Sequence, residues 1–78
     1  MSRTGRDRVA VERLRWIAGR IRDRLPLTAS IVAREFGICA KTGIRDINFM
    51  RRSLGWHLRW DGKAHSFVSA GQQPAPLL

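Results

Sequence analysis

Residues 27–68 read LTASIVAREFGICAKTGIRDINFMRRSLGWHLRWDGKAHSFV. Thr28 stands where a helix N-cap belongs, because its hydroxyl can accept one of the backbone N–H groups that a first helical turn leaves free. From Ala29 to Phe36, Val32, Ala33 and Phe36 fall on one side of a helix. Gly37 ends it, since glycine takes the left-handed conformation without strain and so turns the chain sharply into a second run. That run, 40–54, has Ile38 plugging the corner and Ile47, Met50 and Leu54 recurring at spacings of three and four. Gly55 is a second stop. Beyond it, Trp56–Trp60 and His65–Val68 flank an Asp61-Gly62 pair, the pattern of a β-hairpin, with His57 and Arg59 on one face and Leu58 and Trp60 on the other.

Upstream, Ala10, Leu14, Ile17 and Ile21 form an apolar stripe at helical spacing, so a helix is expected from Asp7, as its cap, to about Leu25. Pro26 closes that helix. Residues 1–6, MSRTGR, have two arginines and no apolar anchor and are expected to be a flexible basic arm. Residues 69–78, SAGQQPAPLL, hold two prolines and no charge and read as a disordered tail or linker stub. One domain over 7–68 remains, mainly α with a small β-hairpin.

A chain of 78 residues has room for one small core and little room for a deep catalytic cleft. Its 15 Lys and Arg against 6 Asp and Glu leave a net charge of +9, which makes a polyanion the natural partner. All but two of the cations are Arg, the side chain suited to bidentate contacts with phosphate and guanine. The single cysteine, Cys39, has no internal disulfide partner, and the opening MSRTGRDR lacks the apolar core of a signal peptide, so a cytoplasmic protein is expected. No stretch is long and apolar enough for a membrane span. Cys39, His57 and His65 fit no zinc spacing, and neither a Ser-His-Asp set nor a Gly-rich phosphate loop is present; no enzyme activity, metal or cofactor is expected.

The order Thr28, Val32-Ala33, Phe36-Gly37, Ile38-Cys39, Thr42, Arg45-Asp46-Ile47, Met50, Leu54-Gly55 and Trp60-Asp61, with Phe67 returning, resembles the winged helix-turn-helix of the DeoR and WYL-associated bacterial transcription regulators. The resemblance covers about residues 10–68. It implies a three-helix winged helix-turn-helix that binds double-stranded DNA for transcriptional control, with the recognition helix 40–54 in the major groove and the wing 57–68 on the backbone or minor groove. In that family the module commonly precedes an effector-sensing domain. Two departures stand out. Where the family has a small hydroxyl residue capping the recognition helix, this chain has Cys39, a poor cap at a cost of about 1 kcal/mol. Where the family has a branched apolar residue after the Thr, this chain has Gly43, four residues before Ile47, which weakens the helix by roughly 1 kcal/mol relative to Ala. Either Ile31 fills the space so emptied or the two helices approach more closely there.

On the recognition helix, Arg45 is expected to fork onto a guanine, Thr42 or Ile44 to touch a thymine methyl, and Lys41 to meet a phosphate, with Ala40 beside them. Arg51 and Arg52 reach flanking backbone or complement the helix dipole. Arg59, Lys63 and His65 of the wing, and at lower weight Arg3, Arg6 and Thr28, complete the expected DNA contacts. A carboxylate facing DNA would repel it, so Asp46 should turn away and hold Arg13, Arg34 or Arg51. Gly37, Asp46, Gly55 and Trp60 are expected to be structural. Trp56 and Trp60 are read as lids of the core, and Trp16, off the Leu14/Ile17/Ile21 stripe, as belonging to a dimer face or packing on the wing. A homodimer would present two recognition helices about 34 Å apart. The competing reading is a protein-interaction or dimerisation module with only non-specific nucleic-acid affinity.

Overall fold

The computed structural model describes residues 3–73, with side chains from residue 10 onward. Helices α1 (Arg3–Arg22), α2 (Ala29–Phe36) and α3 (Ala40–Arg52) precede an antiparallel hairpin of β1 (Leu58–Asp61) and β2 (Ser66–Ser69). The arrangement is that of a winged helix. One core joins all the helices and the hairpin root: Ile17 and Ile21 from α1, Leu27 from the connection, Val32 from α2, Ile47 and Met50 from α3, then Trp56 and Leu58. Tryptophan 56 is the core lid expected of it, 7% exposed, with its indole N–H buried without a partner.

Helix α1 is displaced from its expected limits at both ends. It starts at Arg3, so residues 3–6 are helical rather than a flexible arm and Asp7 lies inside the helix instead of capping it. Extending a formed helix costs far less than nucleating one, and no proline interrupts this stretch. Met1 and Ser2, the rest of the expected arm, lie outside the described residues. At the other end the helix stops at Arg22, three residues short of Leu25. Arg24 takes a left-handed φ of 58°, the Leu25 N–H donates to the Arg20 carbonyl at 2.8 Å and the Arg24 N–H to the Ile21 carbonyl at 3.1 Å. This is a Schellman end with arginine where glycine is usual. Arg24→Gly should therefore raise stability by about 0.5–1 kcal/mol, by relieving the left-handed strain of a residue with a Cβ. A urea melt with unchanged slope and a higher midpoint is the expected result; a lower midpoint would mean that the exposed Arg24 side chain contributes more than its backbone costs.

The α2–α3 corner forms as read. Thr28 is the N-cap of α2 and its hydroxyl accepts from the Ile31 N–H at 3.1 Å; Gly37, at φ 65°, closes the helix. Gly43 answers the question its sequence position raised. It is buried, and a Cβ placed on it would stand 2.7 Å from the Ala29 carbonyl oxygen and 3.4 Å from the Val32 Cβ. The helices close onto the glycine, so no cavity is left to fill. Helix α3 ends at Arg52, two residues before Leu54, and Gly55 at φ 75° redirects the chain, the Trp56 N–H returning to the Met50 carbonyl at 3.0 Å.

The hairpin pairs Leu58 with Ser69, Arg59 with Val68, Trp60 with Phe67 and Asp61 with Ser66. Asp61-Gly62 is not a two-residue turn. Asp61 ends β1, and its Oδ1 accepts from the Lys63 and Ala64 N–H groups at 2.9 and 3.3 Å. His65, expected to start the return strand, instead closes a four-residue loop with φ 53°. The carboxylate can organise a longer loop by bonding two successive amides, which the Asp-Gly dipeptide alone does not reveal. On its outer edge β2 is fastened to the α1–α2 connection: the Phe67 N–H donates to the Leu27 carbonyl at 2.9 Å, and the buried Ser66 hydroxyl accepts from the Leu27 N–H at 2.8 Å.

Two aromatic assignments and one terminal assignment change. Trp60 is not a core lid but 45% exposed, edge-on to Phe67 and His65 at 5.1 Å. It shares a strand face with buried Leu58 but lies two residues farther from the hairpin root, beyond the reach of the core. Trp16, half-buried, packs edge-on against Phe36 of α2 at 5.6 Å under the Arg20 guanidinium, 5.0 Å from the ring centroid, rather than on the wing. The same Arg20 donates through Nε and Nη2 to the Pro26 carbonyl at 3.0 and 2.7 Å, tying the α1 end to the connection. The expected disordered tail is ordered as far as Gln73. Ser69 belongs to β2, the Ala70 N–H donates to the His57 carbonyl at 2.7 Å, and the Gln73 side chain accepts from the His57 N–H at 2.7 Å and donates to its carbonyl at 2.9 Å. A glutamine amide offers the same donor and acceptor pair as a strand backbone, and here it prolongs the β1–β2 ladder at the hairpin root. Residues 74–78 lie outside the described residues.

Candidate nucleic-acid interface

With 100° between successive residues, the side of α3 opposite Gly43, Ile47 and Met50 carries Lys41, Arg45, Phe49 and Arg52. All four are exposed. None of the three cations forms an ion pair among the described residues. The one carboxylate on α3, Asp46, is turned the other way. Its Oδ2 accepts from the Arg13 Nε at 2.6 Å and its Oδ1 from Nη2 at 3.4 Å, with both side chains 15% exposed. This is the tie expected of Asp46, and it clears negative charge from the outward face while locking α3 to α1.

The remaining expected contacts fall in several places. Ala40 is exposed at the first turn of α3. Thr42 is half-buried, with its Oγ1 3.4 Å from the Cys39 Sγ, and Ile44 is half-buried against the core, so neither is a free outward group. Thr28 spends its hydroxyl on the α2 cap. Arg51 leans toward the hairpin, donating to Asn48 Oδ1 at 3.3 Å with its guanidinium 6.0 Å from the Phe67 ring centroid. Arg52, His57 and Leu58 line the cleft between the end of α3 and the hairpin root. Arg59 lies on the opposite face of the hairpin, in a groove with Arg24, Leu25 and Pro26, and is not brought together with Arg45. Lys63 and His65 are exposed in the hairpin loop. The side chains of Arg3 and Arg6 lie outside those described.

Cys39 is the poor cap expected: no side-chain hydrogen bond closes the α3 N-terminus. The exposed thiol's pKa is shifted below its ordinary value, chiefly by the hydrogen bond with the Thr42 hydroxyl. Free amides at a helix start favour negative charge.

Phe49 is the residue that reading the sequence for charged groups passes over. At 47% exposure it is one of the three large apolar side chains left in solvent among the described residues, with Leu25 and Trp60. The signal was present, since Phe49 falls outside the Ile47/Met50/Leu54 stripe and four residues after Arg45.

Among the described residues no helix is long and apolar enough to cross a membrane, and no group of three or more His, Cys, Asp or Glu side chains is placed to hold a metal. No family model, curated protein or solved structure matches the chain.

Proposed function

We propose that this chain binds double-stranded DNA sequence-specifically in the cytoplasm of a bacterium, as a transcriptional regulator that inserts α3 into the major groove. The observation that carries the proposal is the outward face of α3, where Lys41, Arg45 and Arg52 are exposed and unpaired among the described residues while the helix's one carboxylate is folded onto Arg13. A helix is the element that fits the major groove, and a fork-shaped guanidinium near its N-terminal half suits guanine O6 and N7. The net charge of +9 and the residue order resembling DeoR and WYL-associated regulators support the same reading. Arg51, Lys63 and His65 add backbone contacts at the helix end and the wing, and no catalysis, metal or cofactor is part of the proposal.

Selection from a pool of random duplexes at about 150 mM salt, with wild type beside Arg45→Ala, tests it. An enriched motif that relaxes at one position in the variant is expected, together with a log affinity that falls against log salt with a slope near −5 if about six phosphates are neutralised. Recovery of no motif, with binding that vanishes as salt rises, would overturn sequence-specific binding. That outcome would favour the protein-interaction reading, including self-association as a homodimer, for which the exposed Leu25 and Trp60 side chains are the supporting observation.

A further inference from the structure

We infer that Phe49 determines part of the sequence preference, by packing its ring on the 5-methyl group of a thymine beside the base read by Arg45; the inference rests on the DNA-binding reading above. Three facts lead to it. The inward side of α3 is already complete without Phe49, being formed by Gly43, Ile47 and Met50, so core packing gives no account of a phenylalanine at this position. The ring is 47% exposed, on the same outward face of the helix as Lys41, Arg45 and Arg52. Ile44, the large apolar residue expected to read DNA, is withdrawn against the core, which leaves Phe49 as the large apolar group on the cationic face.

A surface surrounded by unpaired guanidinium and ammonium groups fits a polyanion, and the one apolar group that duplex DNA offers in its major groove is the thymine methyl. Arg45 and Phe49 are one helical turn apart, about 6 Å along the axis, which corresponds to roughly two base-pair steps. The geometry therefore points to a site in which a guanine and a thymine lie within about two base pairs of each other.

The test takes the duplex selected by the wild-type protein and replaces each thymine in turn by deoxyuridine, which keeps the pairing and removes only the methyl. Binding is measured for wild type, Phe49→Ala and Phe49→Leu, with circular dichroism on each protein to verify folding. One thymine near the Arg45 guanine should be found whose demethylation weakens wild type about fourfold to tenfold and leaves Phe49→Ala unaffected, with Phe49→Leu intermediate. Loss below about twofold at every thymine, or equal loss in Phe49→Ala, would overturn the inference while an Arg45-dependent motif left the DNA-binding reading standing. Failure of wild type to select any motif would overturn both. If Phe49→Ala instead converted a self-associated species to monomer in sedimentation, without changing the response to deoxyuridine, Phe49 would belong to a protein contact and the inference would fall.

Discussion

Replacing Gly43 by alanine should destabilise the fold, and replacing it by valine should destabilise it much further. Helix propensity by itself predicts the opposite for alanine, a gain of about 1 kcal/mol, because glycine is the poorer helix former. The structure reverses the sign. The added Cβ would stand 2.7 Å from the Ala29 carbonyl oxygen, which is backbone and cannot swing aside as a side chain tip can. Helices α2 and α3 would have to part, disturbing the Val32, Ile47 and Met50 packing that the corner exists to make. Overpacking of this kind costs about 1–3 kcal/mol and the propensity gain offsets about 1 of it, so alanine should show a net loss of up to about 2 kcal/mol and a midpoint lower by up to about 16 °C. Valine carries two further methyl groups toward Val32, whose Cβ is already at 3.4 Å from the position in question, and the expected loss exceeds about 3 kcal/mol. For 78 residues a total stability of roughly 4–12 kcal/mol is usual, so that loss is a large share of the whole. Thermal and urea melts decide the matter: a midpoint that rises in Gly43→Ala would show that the two helices are free to separate.

Gly43 also shows how a residue can be noticed in the sequence without being understood there. Its spacing from Ile47 marks an inward position, yet a missing side chain is compatible with a void, with a neighbour moving in, or with a close approach, and only the separation of the two helices distinguishes them. The caps were easier. Thr28 and Gly37 act through local chemistry that needs no knowledge of distant residues, and both do what their positions imply. Asp46 was legible for a related reason: a lone carboxylate on a basic helix must be neutralised, although Arg13 emerged from three candidates only when α1 was laid against α3. Trp60 was misplaced, and Trp16 was not traced to Phe36, because burial of an aromatic depends on how far the core extends. Alternation places Trp60 on the same strand face as Leu58 but says nothing about where the helices end beneath it. Periodicity likewise removes Trp16 from the main stripe without disclosing that Phe36 stands opposite. Of the expected reading surface, Lys41, Arg45 and Arg52 came together on one face, whereas Ile44 belongs partly to the core and Arg59 to the far side of the hairpin.

Asp46→Ala should lower stability by about 2–3 kcal/mol and leave the salt dependence of the proposed DNA binding unchanged. Removing the carboxylate strands the Arg13 guanidinium in a site where it is only 15% exposed, and an uncompensated charge so placed costs far more than the pair contributes. The fork geometry, Nε to Oδ2 at 2.6 Å and Nη2 to Oδ1 at 3.4 Å, means that two charge-assisted bonds go at once. Arg13→Met together with Asp46→Leu removes both charges and fills the volume, so the double variant should recover most of the loss, and the cycle closed with the Arg13→Met and Asp46→Leu single variants should report a coupling of about 1.5–3 kcal/mol. Binding separates the architectural role from a direct one. Were Asp46 aimed at DNA, its loss would relieve repulsion and strengthen binding most at low salt, where charges act over the longest range. Turned onto Arg13, it should have no such effect: affinity measured where the variant is fully folded should stay within about twofold of wild type, with the same slope of log affinity against log salt. A steeper slope with tighter binding would instead put the carboxylate on the reading face, and with it would fall the argument that α3 presents its cations to DNA unopposed.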